Sequence, residues 1–208
     1  SMLQEVMDNA FNNSTVTHVY FHNTSLERIN NMAFSECRNL MEVYFPNTVS
    51  EFSEDVFVGC NNLSYLNLEN TGIAVLPNHL VMNNDMLTSI IVPATVNLVR
   101  NSFAECRGLT SIIMLSTTPP MMEGEFIEGE PNPNLTIFVP EDSLDAYLNA
   151  EGWRNLLDRG ITIVGSSEIA EIPDMNDFNE KFIINDGLVY ILNYKKAGIT
   201  TYNEDDFQ

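Results

Sequence analysis

A spacing of 22 to 24 residues constrains this chain more than any single residue does. The stretch 40–62, LMEVYFPNTVSEFSEDVFVGCNN, contains Leu40, Val43, Phe45, Phe52, Phe57 and Cys60. These meet Leu63, Leu66, Leu68, Leu76, Val81 and Asn84 one period on, and Leu87, Ile90, Val92, Leu98, Phe103 and Cys106 two periods on. Upstream, Val16, Val19, Phe21, Ile29, Phe34 and Cys37 take the same places. The unit starts Val16, Leu40, Leu63, Leu87 and Leu109 lie 24, 23, 24 and 22 residues apart. A unit this short cannot bury its own apolar face, so the units must stack and share one core.

Each unit opens with a phrase of the L-x-x-V-x-F type, whose apolar alternation reads as a short strand with one buried face. A turn follows, PNTV, ENTGI or PATV. The second half, as in RNSFAECRGL, puts an aromatic three residues before the Cys and a Leu three after it, which is roughly helical spacing. The period falls in the range of leucine-rich repeats. The expected fold is therefore a leucine-rich repeat solenoid, a right-handed α/β-type stack of short parallel strands with helical or irregular returns, followed by a small C-terminal β segment.

The phrases NMAFSECRNL and NSFAECRGLTSIIM, with the later TTPPMM and LTIFVPEDSLDAYLNAEGWRN, resemble the BspA-like leucine-rich repeat family of bacterial cell-surface proteins. In that family the units read A-F-x-x-C-x-x-L before a strand, and the array closes on a T-P-P segment, a V-P strand and a Trp-containing helix. The likeness runs from about Val16 to Leu157. It departs in the third unit, where Val81 and Asn84 replace Phe and Cys. The resemblance implies a non-enzymatic, adhesin-like module at the cell surface or outside the cell, lipid-anchored in a full-length protein, that attaches to a host or microbial surface protein. Two alternatives stand beside it: a structural spacer within a larger surface protein, and a glycan-binding surface lipoprotein.

Residues 1–115 are expected to form the repeats, the first one truncated. Residues 116–165 follow as a degenerate last repeat and C-terminal cap, although STTPPMMEGEFIEGEPNPN has the composition of a loop. In the cap, Asp142 or Ser143 suits the N-cap of a helix ending near Gly152, with Trp153 and Leu156 folding back over the last turn. Residues 166–181 read as a linker, and 182–208 as a short β meander or the start of a further repeat block, turning at Asn185-Asp186-Gly187. No secretory apolar segment precedes the array, so the chain reads as a mature fragment whose export signal or anchor has been removed.

Composition narrows the function. A net charge of −20, with nine Lys and Arg in 208 residues, disfavours nucleic acid and anionic membrane surfaces and favours cationic partners. No run is long and apolar enough to span a bilayer. No phosphate loop, H-E-x-x-H, G-x-S-x-G or metal-ligand spacing occurs, so no catalytic, cofactor or metal residues are assigned. The histidines His18, His22 and His79 are scattered by register. Cys37, Cys60 and Cys106 share one repeat position, which reads as a ladder of small buried side chains.

Binding residues follow from alternation. With Val43 and Phe45 inward, Glu42 and Tyr44 face out, and the same offsets give two rows: His18, Glu42, Tyr65, Ser89, Ser111 and Tyr20, Tyr44, Asn67, Ile91, Ile113. The candidate partner-binding residues on this face are His18, Tyr20, Glu42, Tyr44, Tyr65, Asn67, Ile91 and Ile113. Aromatic and apolar groups of this kind are enriched at interfaces.

Overall fold

The computed structural model describes residues 3–21 and 24–167, and the backbone of residues 182–185 and 188–191. Two compact units divide the chain, Ser1–Ile172 and Pro173–Gln208. The first is a parallel-strand solenoid of about seven turns.

Each coil has three sides. On the second strand side lie β1 (Glu5–Val6), β3 (Arg28–Ile29), β5 (Glu51–Phe52), β7 (Val75–Leu76), β9 (Leu98–Val99) and β11 (Met121–Met122). The first strand side carries β2 (His18–Tyr20), β4 (Glu42–Tyr44), β6 (Tyr65–Leu66), β8 (Ser89–Val92), β10 (Ser111–Met114), β12 (Thr136–Pro140) and β13 (Thr162–Ser166). Pairing there is parallel, with His18 opposite Glu42 and Glu42 opposite Tyr65, then Ser89, Ser111, Thr136 and Thr162 in line. Val43, Leu66, Ile90, Ile112, Ile137 and Ile163 point inward and are buried, as the alternation requires.

The second strand side corrects one position of the repeat. Val75 pairs with Leu98 and Leu76 with Val99, so Val99 rather than Leu98 joins the inward row of Ile29, Phe52 and Leu76. Val99 is fully buried and Leu98 only partly. Counting from the turn proline explains it, since Phe52 is six residues past Pro46 and Val99 six past Pro93.

On the third side, turns stand where the apolar spacing pointed towards helix. Asn9 and Asn13, Met32 and Glu36, Asp55 and Gly59, and His79 and Asn83 have positive φ, two such residues per coil, and a left-handed residue interrupts an α-helix. Main-chain groups bond between coils instead. The N–H groups of Asn9, Phe11 and Asn13 donate to the carbonyls of Asn31, Ala33 and Ser35, and those of Met32, Phe34 and Glu36 donate to Glu54, Val56 and Val58. Beneath them Phe11, Phe34 and Phe57 stack at 4.9 and 5.4 Å. Burying a phenylalanine of this kind is worth about 1.5–3 kcal/mol.

The cysteine row is buried as expected, and it is also a row of donors. Cys37, Cys60 and Cys106 Sγ donate to the carbonyls of Phe11, Phe34 and Val81 at 2.9, 3.0 and 2.8 Å. Asn84 fills the same role through Nδ2 to Phe57 O at 2.8 Å, which explains how Asn and Cys can exchange at one position. Its Oδ1 is buried without a hydrogen-bond partner.

The loop-like stretch after Leu115 is another coil. Its β11 pairs with β9, and Phe126 and Ile127 are buried, with Phe126 at 5.0 Å from Phe103. Its glutamates point outward, where Glu123 meets Arg100 at 3.0 Å. A 3-10 turn (Glu141–Ser143), α1 (Leu144–Asn149) and α2 (Trp153–Asp158) then cover the core. Tyr147 and Trp153 are fully buried. Their polar ends reach Ser116 O at 2.9 Å and Pro120 O at 2.8 Å, so both rings enter the core without stranding a donor. Ser143 occupies the N-cap of α1, but its hydroxyl makes no capping bond.

In the second unit β14 (Phe182–Asn185) and β15 (Leu188–Ile191) pair antiparallel, Asn185 opposite Leu188. Most of the expected linker and the remainder of the expected meander lie outside the described residues.

Candidate functional site: the first strand side

Outward residues on this side are half-buried, because each packs against the same position of the neighbouring coil. Register places Tyr20 opposite Tyr44, and Ile91 opposite Ile113. The Tyr20 and Tyr44 rings stack at 5.1 Å, and His18 lies 6.3 Å from Tyr20. Tyr65 belongs to the other row, opposite Glu42, yet its ring comes within 5.0 Å of Tyr44. The three phenol rings thus form one continuous ladder across β2, β4 and β6.

Carboxylates border the ladder. Tyr44 Oη donates to Glu42 at 3.4 Å and Tyr65 Oη to Glu69 at 3.1 Å. Burial, and then the Glu42 charge, raise the ionisation of the Tyr44 phenol above its usual range. The same two causes act in the same direction on Tyr20. At neutral pH the phenols are therefore uncharged donors that keep acceptor lone pairs.

Asn67 does not join this face. It is 3% exposed, and its side chain turns back to accept from the Phe45 N–H at 2.7 Å and donate to the Phe45 carbonyl at 3.3 Å. The expectation of an outward Asn67 is overturned, because its amide supplies the donor and acceptor that a neighbouring strand would otherwise provide. The first strand side divides here into a three-stranded sheet, β2-β4-β6, and a four-stranded one, β8-β10-β12-β13.

Beyond the division, Ile91 and Ile113 sit together, at a distance in register from the tyrosines. Phe138 pairs with Ile113 and Val164 with Phe138, extending that row. Phe138 and Glu69 were absent from the expected set. The alternation in LTIFVP already points Phe138 outward, whereas Glu69 lies past the end of β6, where alternation gives no direction.

Other reactive groups lie apart. His79 is on the turn side, with Nδ1 3.0 Å from Asp55 and Nε2 3.8 Å from Glu128. His22 lies outside the described residues. Burial pushes the Cys106 thiol up to about 12 and Cys60 further, so neither supplies a thiolate near neutral pH. Among the described residues no three His, Cys, Asp or Glu side chains gather as metal ligands, and no helix is long and apolar enough to cross a membrane.

Six copies of the BspA type leucine rich repeat region match residues 4–126. The chain belongs to the BspA-type leucine-rich repeat family. The matched span runs through the coil of β11, which the loop-like composition had concealed. The BspA-type array is similar in fold to the leucine rich repeat protein of T. pallidum, TpLRR, with 15% identity and a TM-score of 0.52 over 78% of this chain and 80% of that one. It is also similar to the pneumococcal vaccine antigen PcpA, with 14% identity and a TM-score of 0.51 over 79% of this chain but 39% of that one. A comparison with curated proteins finds no match. As a member of this family, the BspA-type chain is a protein-interaction repeat module.

Proposed function

We propose that this is a non-enzymatic, cell-surface or secreted adhesin-like module, and that it holds a host or microbial surface protein against the tyrosine ladder of β2, β4 and β6. The ladder is the observation that carries the reading. Three in-line phenols with bordering carboxylates give a preorganised surface, and tyrosine offers much contact area for little side-chain entropy. Membership of a family of bacterial surface proteins supports the location.

The glycan alternative is weaker on the same geometry. Sugars dock on the faces of aromatic rings, but rings about 5 Å apart in a ladder turn those faces towards one another. A spacer would need no such ladder. The test is capture from an array of matrix proteins, mucins and glycans by the wild type and by Tyr20→Ala/Tyr44→Ala/Tyr65→Ala. Capture of a protein by the wild type, lost at least about tenfold in the variant, which corresponds to about 1.4 kcal/mol, is the expected outcome. Equal capture by both would overturn the assignment.

A further inference from the structure

The cations and anions of the first unit are distributed unevenly around the coil. The arginine–carboxylate pairs lie away from the first strand side, such as Arg28–Glu5 at 3.4 Å on the second strand side and Arg107–Glu105 at 2.9 Å on the turn side. Strands β2, β4 and β6 contain no lysine or arginine. Their ladder is instead bordered by Glu42 and Glu69, which accept phenol hydroxyls.

The ring arrangement decides which chemistry is left outward. With ring faces turned to one another, the ladder presents ring edges and phenol oxygens. Edges carry the positive part of the ring quadrupole, so a bare cation gains little from them. It gains from the oxygens, where carboxylates and phenol lone pairs can accept charge-assisted hydrogen bonds. An aliphatic stem beneath the cation would cover the edges. A long side chain with an apolar stem and a cationic, many-donor head meets both demands.

We infer that the ladder takes a basic polypeptide segment, whose arginine or lysine heads bind between Glu42, Glu69 and the phenol oxygens while their stems lie on the ring edges. Neighbouring strands are about 4.8 Å apart, so an extended segment crossing the three strands covers them with about three residues. The inference deepens the proposed function and rests on its choice of face. It specifies that the partner's contact region is basic, in keeping with a chain of net charge −20.

The test measures fluorescence anisotropy of a labelled peptide of alternating Gly and Arg, with a Gly and Glu peptide as comparison, against the full chain. Glu42→Gln/Glu69→Gln weakens Arg-peptide binding about tenfold and leaves the melting temperature unchanged. Glu27→Gln/Glu51→Gln, on the second strand side, removes the same charge and changes binding less than about twofold. Equal weakening by both pairs would mean attraction to total charge alone and would overturn the inference, as would absence of Arg-peptide binding. If that happens while the tyrosine triple variant still loses its captured protein, the face stands and only the basic character falls. If the triple variant captures as well as the wild type, the face falls as well.

Discussion

The two halves of the first strand side use one backbone and opposite surfaces. Across β2, β4 and β6 the outward groups are phenols, an imidazole and a carboxylate, whereas across β8, β10, β12 and β13 they are hydroxyls beside a row of Ile91, Ile113, Phe138 and Val164. The inward residues barely differ between halves. A repeat therefore fixes the core and leaves the outward positions free to specialise block by block. The boundary falls in the irregular coil 63–84, which holds both Asn67 and Asn84.

The largest effect belongs to the closed end of the second half. Trp153→Ala should cost about 3–5 kcal/mol, read as a lower urea midpoint, because the ring fills the core at 4.8 Å from Tyr147. A loss confined to a few tenths would show that the helices only decorate the stack. At the boundary, Asn67→Leu strips partners from the Phe45 N–H and carbonyl, and about 1–3 kcal/mol should go with them. An unchanged midpoint would mean that the sheet divides for some other reason.

Tyr44 marks the first half in a pH titration. Its folded-state ionisation lies above the ordinary value of 10.0, through burial first and Glu42 second. The unfolded chain releases this proton nearer pH 10, so the contribution is complete below that pH and is lost as pH rises further. Urea midpoints between pH 9 and 11 should fall less steeply for Tyr44→Phe than for wild type. Tyr147, also raised by burial, leaves a residual slope in the second half. Parallel slopes for Tyr44→Phe and wild type would refute the first statement. The smallest change expected is a gain: Asn84→Cys restores the ladder without an orphaned oxygen, and a stabilisation of about 0.5–1 kcal/mol should appear as a higher melting temperature.

Much of the solenoid was legible because burial is written as alternation. Val43, Leu66 and Ile90 mark inward strand positions, and the register of both outward rows follows from them. Spacing alone was silent where hydrogen bonding decides. Phe34 and Cys37 have helical spacing but belong to a turn with Met32 and Glu36 left-handed, and spacing cannot distinguish these because both arrangements bring i and i+3 together. Asn67 misled for a related reason. Its position is outward by parity, and only the unmet groups of Phe45 pull it in. The coil of β11 was hidden by its prolines and glutamates, which occupy outward and corner sites that tolerate almost any polar residue.

On the turn side each bond between neighbouring coils runs the same way, from N–H towards the carbonyl of the later coil: Asn9 to Asn31, Phe34 to Val56, Phe57 to Leu80, Val81 to Ser102, Glu105 to Glu128. The side is consequently a one-way lattice. Looking towards its predecessor, a coil shows only acceptors, and looking towards its successor only donors. Two arrays brought together by like ends would oppose oxygen to oxygen or hydrogen to hydrogen along that side. The stack can be extended by parts that share its handed order, and by geometry alone it refuses its own mirror-wise counterpart.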